Sequence, residues 1–208
     1  MYRGKQKVES LYHGLTERKT DMLPVLIAYG TTEGQTRKVA EFIAERLRIR
    51  GHQVDLLDTA SAAADQVQPF QLAVIACGSL HLDRHQSSLA HFLKSNQAWL
   101  QTLPLAFFSV SLSAAMSDAD SRKEAQQAAD HFMLQCDLQP LLTRCVAGAL
   151  KYTQYDYFKR MMMRLIASHQ GQSSDIGHDH EYTDWPQLEA DLDQFLNTAG
   201  LAPKAHAA

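Results

Sequence analysis

The sequence predicts an α/β domain in which helices cover both faces of a parallel β-sheet. Five short apolar runs are separated for the most part by segments with helical periodicity. Parallel strands that are buried on both faces have this continuous apolar pattern. The chain has 208 residues, 45% of them hydrophobic, which suits one ordinary domain with a core of its own.

The first part of the domain is predicted from apolar runs that end at glycines. The predicted strands are residues 23–29, 54–57 and 72–76. The first run stops at Gly30 and the third at Gly78, and their short length and β-branched residues favour strands over helices. Between the first two strands, apolar side chains recur on one face of residues 35–50, which predicts an amphipathic helix that ends at Gly51.

The second part of the domain alternates helices and strands in the same way. Its predicted helices are residues 86–101, 118–135 and 186–198, and its predicted strands are residues 105–110 and 141–147. Each helix places apolar side chains on one face, which fits packing against the sheet. At the start of the last helix, Thr183 is predicted as the capping residue, and Asp184 suits the positive end of the helix.

This order of elements predicts a flavodoxin-like, doubly wound sheet of five parallel strands in the order 2-1-3-4-5. The domain is predicted to span residues 22–200, with an insertion over residues 152–182 before the last helix. In such sheets, ligands bind beyond the carboxyl ends of the strands, where the strand order reverses. The search for function therefore narrows to the loops after the first, third and fourth strands.

The loop after the first strand offers hydroxyl groups and backbone amides at the start of a helix. It comprises Thr31, Thr32, Glu33, Gly34, Gln35 and Thr36. Hydroxyl and N–H groups that converge at a positive helix end suit a phosphate dianion. The loop has neither the GK[ST] of a Walker P-loop nor the GxGxxG of a dinucleotide site, so the predicted ligand is a monophosphate such as FMN. From this loop alone, the alternative is a threonine-rich helix cap without a ligand.

The loops after the third and fourth strands are built from small or hydroxylated residues with one larger side chain each. They comprise Gly78, Ser79, Leu80 and His81 after the third strand, and Ser109, Val110, Ser111 and Leu112 after the fourth. Such loops let the backbone approach a flat ring and offer hydrogen bonds to its polar edge, as a flavin requires. Leu80 and His81 are candidates for stacking on that ring; the alternative for His81 is a solvated loop histidine.

Four motifs in the chain carry a resemblance to a known family. They are EGQTR at 33–37, FFSVSL at 107–112, AGALKY at 147–152 and YTDW at 182–185. Together they resemble the menaquinone-dependent protoporphyrinogen IX dehydrogenases, flavodoxin-like enzymes of bacterial haem synthesis. Gly148 and Ala149, in the third motif, complete the candidate cofactor-binding set. Residues 113–120 depart from the family, in which a more basic stretch is expected.

The resemblance implies an enzyme that oxidises protoporphyrinogen IX to protoporphyrin IX in three two-electron steps. It also implies FMN as the cofactor and a membrane quinone as the electron acceptor. No acid–base pair stands out, so no catalytic residue is assigned and the chemistry is expected to centre on the flavin. Two alternatives stay open: an electron-transfer flavodoxin without a small-molecule substrate, and a domain of this fold that binds partners but no flavin.

The predicted insertion carries a basic amphipathic segment. Residues 155–169 place apolar and aromatic side chains on one helical face, with Lys159, Arg160 and Arg164 beside or away from that face. This pattern is typical of a helix in a membrane interface, which would suit a quinone dissolved in lipid. The alternatives are packing on the sheet and a slot for the porphyrin. His178 and His180 lack the spacing of a zinc site, so no metal is predicted.

Composition limits the location and partners that are expected. A formal net charge of -3 excludes a nucleic-acid binder that relies on bulk positive charge. Three widely spaced cysteines form no disulfide framework, which predicts a cytoplasmic location. The basic segment 155–169 adds the hypothesis of peripheral contact with the inner membrane. Residues 1–21 are expected to be a disordered extension, or upstream sequence if translation begins at Met22, and residues 201–208 a tail.

Overall fold

A sheet of five parallel strands forms the centre of the computed structural model, which describes residues 23–69, 71–81, 84–150 and 180–202. These strands are β1 (Val25–Gly30), β2 (Val54–Asp58), β3 (Ala73–His81), β5 (Leu105–Ser111) and β6 (Leu142–Ala147). They are hydrogen-bonded in the order β2-β1-β3-β5-β6, and each neighbouring pair is parallel. The predicted fold class and strand order are therefore confirmed.

Helices cover the two faces of this sheet. They are α1 (Gln35–Ile49), α2 (Ser87–Ser95), α3 (Gln97–Leu100), α4 (Ala119–Gln135) and α5 (Trp185–Ala199), with 3₁₀ turns at Ala62–Gln66 and Ser113–Ala115. Apolar residues of α1 and α5 belong to the core on one face, and those of α2, α3 and α4 belong to the core on the other. Each face of the sheet is thus closed by amphipathic helices, as the alternating pattern requires.

The two cores explain why the strands are continuously apolar. In β1, Val25, Ile27 and Tyr29 pack into the core under α1 and α5, and Leu26 and Ala28 pack into the opposite core. All six residues of the strand are buried. Because successive side chains of a strand point to opposite faces, a central strand needs apolar residues at every position.

One predicted helix is divided in two by Asn96. Helix α2 ends at Ser95 and α3 begins at Gln97, whereas the sequence predicted one helix over residues 86–101. The Asn96 side-chain amide donates to the carbonyl of Phe92 at 2.9 Å, and Trp99 Nε1 donates to Asn96 Oδ1, also at 2.9 Å. Asparagine competes in this way with the backbone ladder of a helix, so the prediction of one continuous helix was wrong.

Strand β3 continues beyond the predicted stop at Gly78 and turns back as a hairpin. A short strand β4 (Arg84–His85) pairs antiparallel with Leu80 and His81. Gly78 itself lies within the strand, in register with Gly30 and Ser109. A Cβ at Gly78 would lie 2.8 Å from the Leu89 side chain, so this glycine permits close packing and does not end the strand.

The last helix is capped by Asp184, and the prediction of Thr183 as its cap was wrong. The Asp184 carboxylate accepts from the Gln187 N–H at 3.0 Å. Thr183 is buried, and its hydroxyl donates to the Ala147 carbonyl at 2.7 Å. The hydroxyl is therefore used to join the start of α5 to the end of β6, and the following carboxylate is left to cap the helix.

The predicted insertion lies largely outside the described residues. Strand β8 (His180–Glu181), at its C-terminal end, pairs antiparallel with β7 (Ala149–Leu150), which directly precedes the predicted insertion. The amphipathic segment 155–169, the extension 1–21 and His178 fall outside the described part of the chain, as do residues 203–208 of the predicted tail. Within the described part, no helix is long and apolar enough to cross a bilayer.

Candidate cofactor site

A cleft opens at the carboxyl ends of the central strands. Its lining comes from the ends of β1, β3, β5 and β6 and from the first turn of α1. The lining residues are Thr31, Thr32, Glu33, Gln35, Thr36, Ser79, Leu80, His81, Val110, Ser111, Leu112, Ser113, Gly148 and Ala149. The chain thus brings four separate loops together at the point where the strand order reverses.

Most of the residues that the sequence assigned to a cofactor line this cleft, and three of them lie elsewhere. Gly34 shapes the first loop, Gly78 lies inside β3, and Ser109 is fully buried with its hydroxyl 2.9 Å from His85 Nε2. The sequence reasoning missed Ser113, which also lines the cleft. Its signal was present, because Ser113 follows the fourth predicted strand in the same hydroxyl-rich loop as Ser111.

The loop after β1 leaves three helix amides ahead of the first intrahelical hydrogen bond. That bond runs from the Lys38 N–H to the Gly34 carbonyl at 3.2 Å, so the amides of residues 35–37 precede it. Gly34 is the N-cap in a left-handed conformation, with φ of 89°, and no side chain among the described residues caps the helix. Its own N–H donates to Thr31 Oγ1 at 3.0 Å. The positive end of α1 is therefore open to an anionic group.

Thr36 supplies a buried hydroxyl that has no partner within the described chain. The residue belongs to the cleft lining, is fully buried, and its Oγ1 makes no hydrogen bond to any described residue. A buried polar atom without a partner is destabilising, and native proteins pair nearly all such atoms. The unpaired hydroxyl and the three uncapped amides are hydrogen-bond donors that suit an anionic ligand.

The described lining of the cleft offers neutral hydrogen-bond donors and one carboxylate. Its described lining contains no Lys or Arg, and Glu33 is its one carboxylate. The nearby Lys38 ammonium is paired with the Glu181 carboxylate at 3.4 Å. Hydroxyl and amide donors can hold a phosphate without a fixed cation, so the lining suits a singly phosphorylated group better than a triphosphate.

Gln35 joins the start of α1 to the segment that precedes α5. Its side-chain amide donates to Thr183 Oγ1 at 2.9 Å and to Glu181 Oε1 at 3.2 Å. The sequence assigned Gln35 to the cofactor, and the structure places it in the cleft lining with its Nε2 bonded to these two residues. Gln35 therefore fixes the first turn of α1 against the β8 end of the chain.

The remaining walls are held by backbone hydrogen bonds at the ends of β5 and β6. The Gly148 N–H donates to the Ser111 carbonyl at 2.9 Å, and the Tyr182 N–H donates to the Gly148 carbonyl at 3.0 Å. Ser111 Oγ accepts from the Ala114 N–H at 3.2 Å, which shapes the turn that contains Ser113. These bonds fix small and apolar residues, including Ala149, around one side of the cleft.

His85 belongs to β4, outside the cleft lining. Its ring packs against Phe132 and Phe107, with ring centroids 4.3 and 5.3 Å away. Burial lowers the pKa of His85 to about 4, so its imidazole is neutral at physiological pH. This histidine therefore supports the hairpin as an uncharged, hydrogen-bonded group. Elsewhere in the described chain, no group of three His, Cys, Asp or Glu side chains is arranged to hold a metal.

Comparison with known proteins agrees with this geometry. A protoporphyrinogen IX dehydrogenase [quinone] of Escherichia coli (strain K12) is 29% identical over 166 residues, which cover 80% of this chain and 91% of that protein. A protein of the same name from Leishmania major is 28% identical over 164 residues, which cover 77% of this chain and 69% of that protein. These two relatives confirm the resemblance predicted from the four motifs.

The fold family is identified by a match over most of the chain. Oxidised flavodoxin 2 of Bacillus cereus aligns with a TM-score of 0.45 and 17% identity, over 69% of this chain and 96% of that protein. The family described as "Flavodoxin domain" matches residues 26–176, a span that begins within β1, extends beyond β7 and contains every lining residue of the cleft. This chain therefore belongs to the flavodoxin domain family.

Proposed function

We propose that this protein is an FMN-dependent oxidoreductase that converts protoporphyrinogen IX to protoporphyrin IX and passes the electrons to a membrane quinone. The observation that carries the flavin half is the unpaired Thr36 hydroxyl in the cleft wall, next to the uncapped amides of α1. The substrate half is supported by relatives of that name that align with 80% and 77% of this chain.

FMN fits the donors that the cleft presents. Thr31, Thr32 and Thr36, with the amides of residues 35–37, would hold the phosphate. The absence of Lys and Arg from the described lining favours one phosphate over several, because repeated anionic groups would need a cation. A monophosphate is the simplest group that satisfies all three hydroxyls and the helix end.

The other walls would receive the flavin ring. Leu80 and His81 on the β3 side, and Val110, Leu112 and Ala149 on the opposite side, offer apolar surface, while Ser111 and Ser113 offer polar contacts. Bound FMN supplies the two-electron chemistry for each step of porphyrinogen oxidation. The residues of this chain bind and orient the flavin, and no residue is assigned as an acid or base.

The direct test of this function is an anaerobic assay on the full chain. The purified protein is titrated with FMN, freed of excess flavin, and mixed with protoporphyrinogen IX and a menaquinone analogue. We expect protoporphyrin fluorescence to appear faster than in flavin and quinone alone. No turnover by FMN-loaded protein would refute the substrate and favour an electron-transfer flavodoxin, and failure to bind FMN would refute both.

The proposed location is the cytoplasm, with peripheral contact at the inner membrane where the quinone resides. The support comes from the sequence, because the basic amphipathic segment 155–169 suits an interface with anionic lipid. Replacing Arg160 and Arg164 with glutamate should reduce sedimentation with vesicles that contain anionic lipid. Equal sedimentation of the variant and the wild type would refute membrane contact through this segment.

A further inference from the structure

Gln86 connects two segments of the cleft lining that follow neighbouring strands, β1 and β3. It lies between β4 and the first turn of α2. The Ser79 N–H donates to Gln86 Oε1 at 2.9 Å, and Gln86 Nε2 donates to Thr32 Oγ1 at 3.0 Å and also to Ser79 Oγ. Thr32 follows β1 and Ser79 is near the end of β3, and both line the cleft. One carboxamide thus connects the loop after β1, at Thr32, to the end of β3, at Ser79.

The orientation of this carboxamide follows from its partners. A backbone N–H can only donate, so the atom that faces the Ser79 N–H must be the side-chain oxygen. The NH₂ group then faces the two hydroxyls, and a flipped amide would set two donors against each other. Each hydroxyl therefore accepts a hydrogen bond from Gln86. The hydroxyl hydrogens of Thr32 and Ser79 are left to point away from Gln86.

The packing around Gly30 fixes Gln86 in this place. A Cβ at Gly30 would lie 3.1 Å from Gln86 Cβ and 3.3 Å from its Oε1. The end of β1 can approach the glutamine this closely only because Gly30 has no side chain. The position of Gln86 thus depends on its close packing against Gly30 as well as on its hydrogen bonds.

We propose that Gln86 is a positioning residue that directs the hydroxyl hydrogens of Thr32 and Ser79 into the cleft as donors. This inference rests on the proposed function, because the acceptor at Thr32 is the cofactor phosphate. Thr31 is directed in the same way, since its oxygen accepts from the Gly34 N–H. With these oxygens occupied as acceptors, the loop presents donors to an anion, and Gln86 sets part of the preference for a phosphorylated flavin.

The test compares FMN with riboflavin, which lacks the phosphate. Gln86→Met keeps the length of the side chain and removes its hydrogen bonds. We expect the ratio of FMN affinity to riboflavin affinity, measured by quenching of flavin fluorescence, to fall about tenfold, which corresponds to about 1.4 kcal/mol. The matched control is Gln101→Met, because the exposed Gln101 amide donates to the Asp137 carbonyl at 2.8 Å, outside the cleft lining. The control should leave the ratio unchanged.

A double-mutant cycle with Thr32→Val separates positioning from general structure. If Gln86 acts on the phosphate through Thr32, the double variant should show no further fall in the ratio than Thr32→Val alone. Should Gln86→Met lower the unfolding temperature, Gln86→Glu keeps the acceptor for the Ser79 N–H but cannot donate, and it should lower the ratio at least as far. If both variants fold and keep the ratio of FMN to riboflavin affinity, or if the effects in the cycle are additive, the role of Gln86 is refuted and the proposed function is not. Wild-type protein that binds no FMN would overturn the proposed function with it.

Discussion

Replacing Thr36 with valine is expected to stabilise the flavin-free protein and to weaken its binding of FMN. Valine has nearly the shape of threonine but lacks the hydroxyl. Thr36 is fully buried in the wall of the cleft, and its Oγ1 has no partner within the described chain. This hydroxyl therefore destabilises the flavin-free protein, where it has no hydrogen-bond partner, and stabilises the FMN complex, where the phosphate accepts its hydrogen bond.

The structure sets the size of each effect. A buried polar group without a partner costs about 1–3 kcal/mol, so Thr36→Val should raise the free energy of unfolding of the flavin-free protein by about 1 kcal/mol. A hydrogen bond to a charged group contributes about 1.5–3 kcal/mol. Losing that bond should weaken FMN binding by roughly 10- to 100-fold, and riboflavin binding by much less.

Two measurements on the same preparations check this prediction. Urea unfolding of the flavin-free protein gives the stability, and fluorescence titration gives the affinities for FMN and riboflavin. The control is Thr198→Val, since Thr198 is an exposed residue of α5 whose hydroxyl donates to the Gln194 carbonyl at 2.8 Å. A Thr36→Val variant that binds FMN like the wild type, or that is less stable without flavin, would refute the assignment of Thr36 to the phosphate.

Three further predictions concern the scaffold of the site. Burial lowers the pKa of His85 from 6.5 to about 4, so on acidification the unfolded chain takes up the proton before the folded protein does. Acidification from pH 8 to pH 5 should therefore lower the free energy of unfolding by about 2 kcal/mol through this residue. His85→Leu should remove that part of the pH dependence in urea unfolding, and an equal pH dependence in both proteins would contradict the prediction. Gly78→Ala should lower stability by about 1–3 kcal/mol, because its Cβ would lie 2.8 Å from Leu89. Gly148→Ala should leave the stability nearly unchanged, since the nearest atoms would lie 3.5 Å from the new Cβ, an ordinary contact distance. If the two glycine variants lost the same free energy of unfolding, close packing at Gly78 would be refuted. Asp184→Ala should cost about 1 kcal/mol through loss of the α5 cap, and unchanged thermal unfolding would exclude that role.

The sequence was sufficient to predict the sheet and the position of the cleft. Strands buried on both faces require apolar residues at every position, so runs such as Val25–Gly30 are visible without a structure. Once the strand order is known, geometry determines which loops meet, because ligands bind where that order reverses. The hydroxyl-rich segment from Thr31 to Thr36 could therefore be assigned to the cleft from its place in the order of elements.

Features that depend on three-dimensional partners could not be predicted. Gly78 resembles a strand terminator in sequence, and only the packing of Leu89 and His85 against it shows why a glycine is needed inside β3. Thr183 is a good helix cap by residue type, but the nearby Ala147 carbonyl takes its hydroxyl. Gln86 carries no local signal, because its three hydrogen bonds join segments that only the folded sheet brings together.

The most direct test of electron transfer through the flavin is the absorbance of bound FMN under anaerobic conditions. FMN-loaded protein is mixed with protoporphyrinogen IX without any acceptor, and a menaquinone analogue is added afterwards. If bound FMN carries the electrons from protoporphyrinogen IX to the quinone, the oxidised-flavin absorbance is lost after the first addition and returns after the second, while protoporphyrin accumulates. Flavin that stays oxidised in the presence of protoporphyrinogen IX would contradict it.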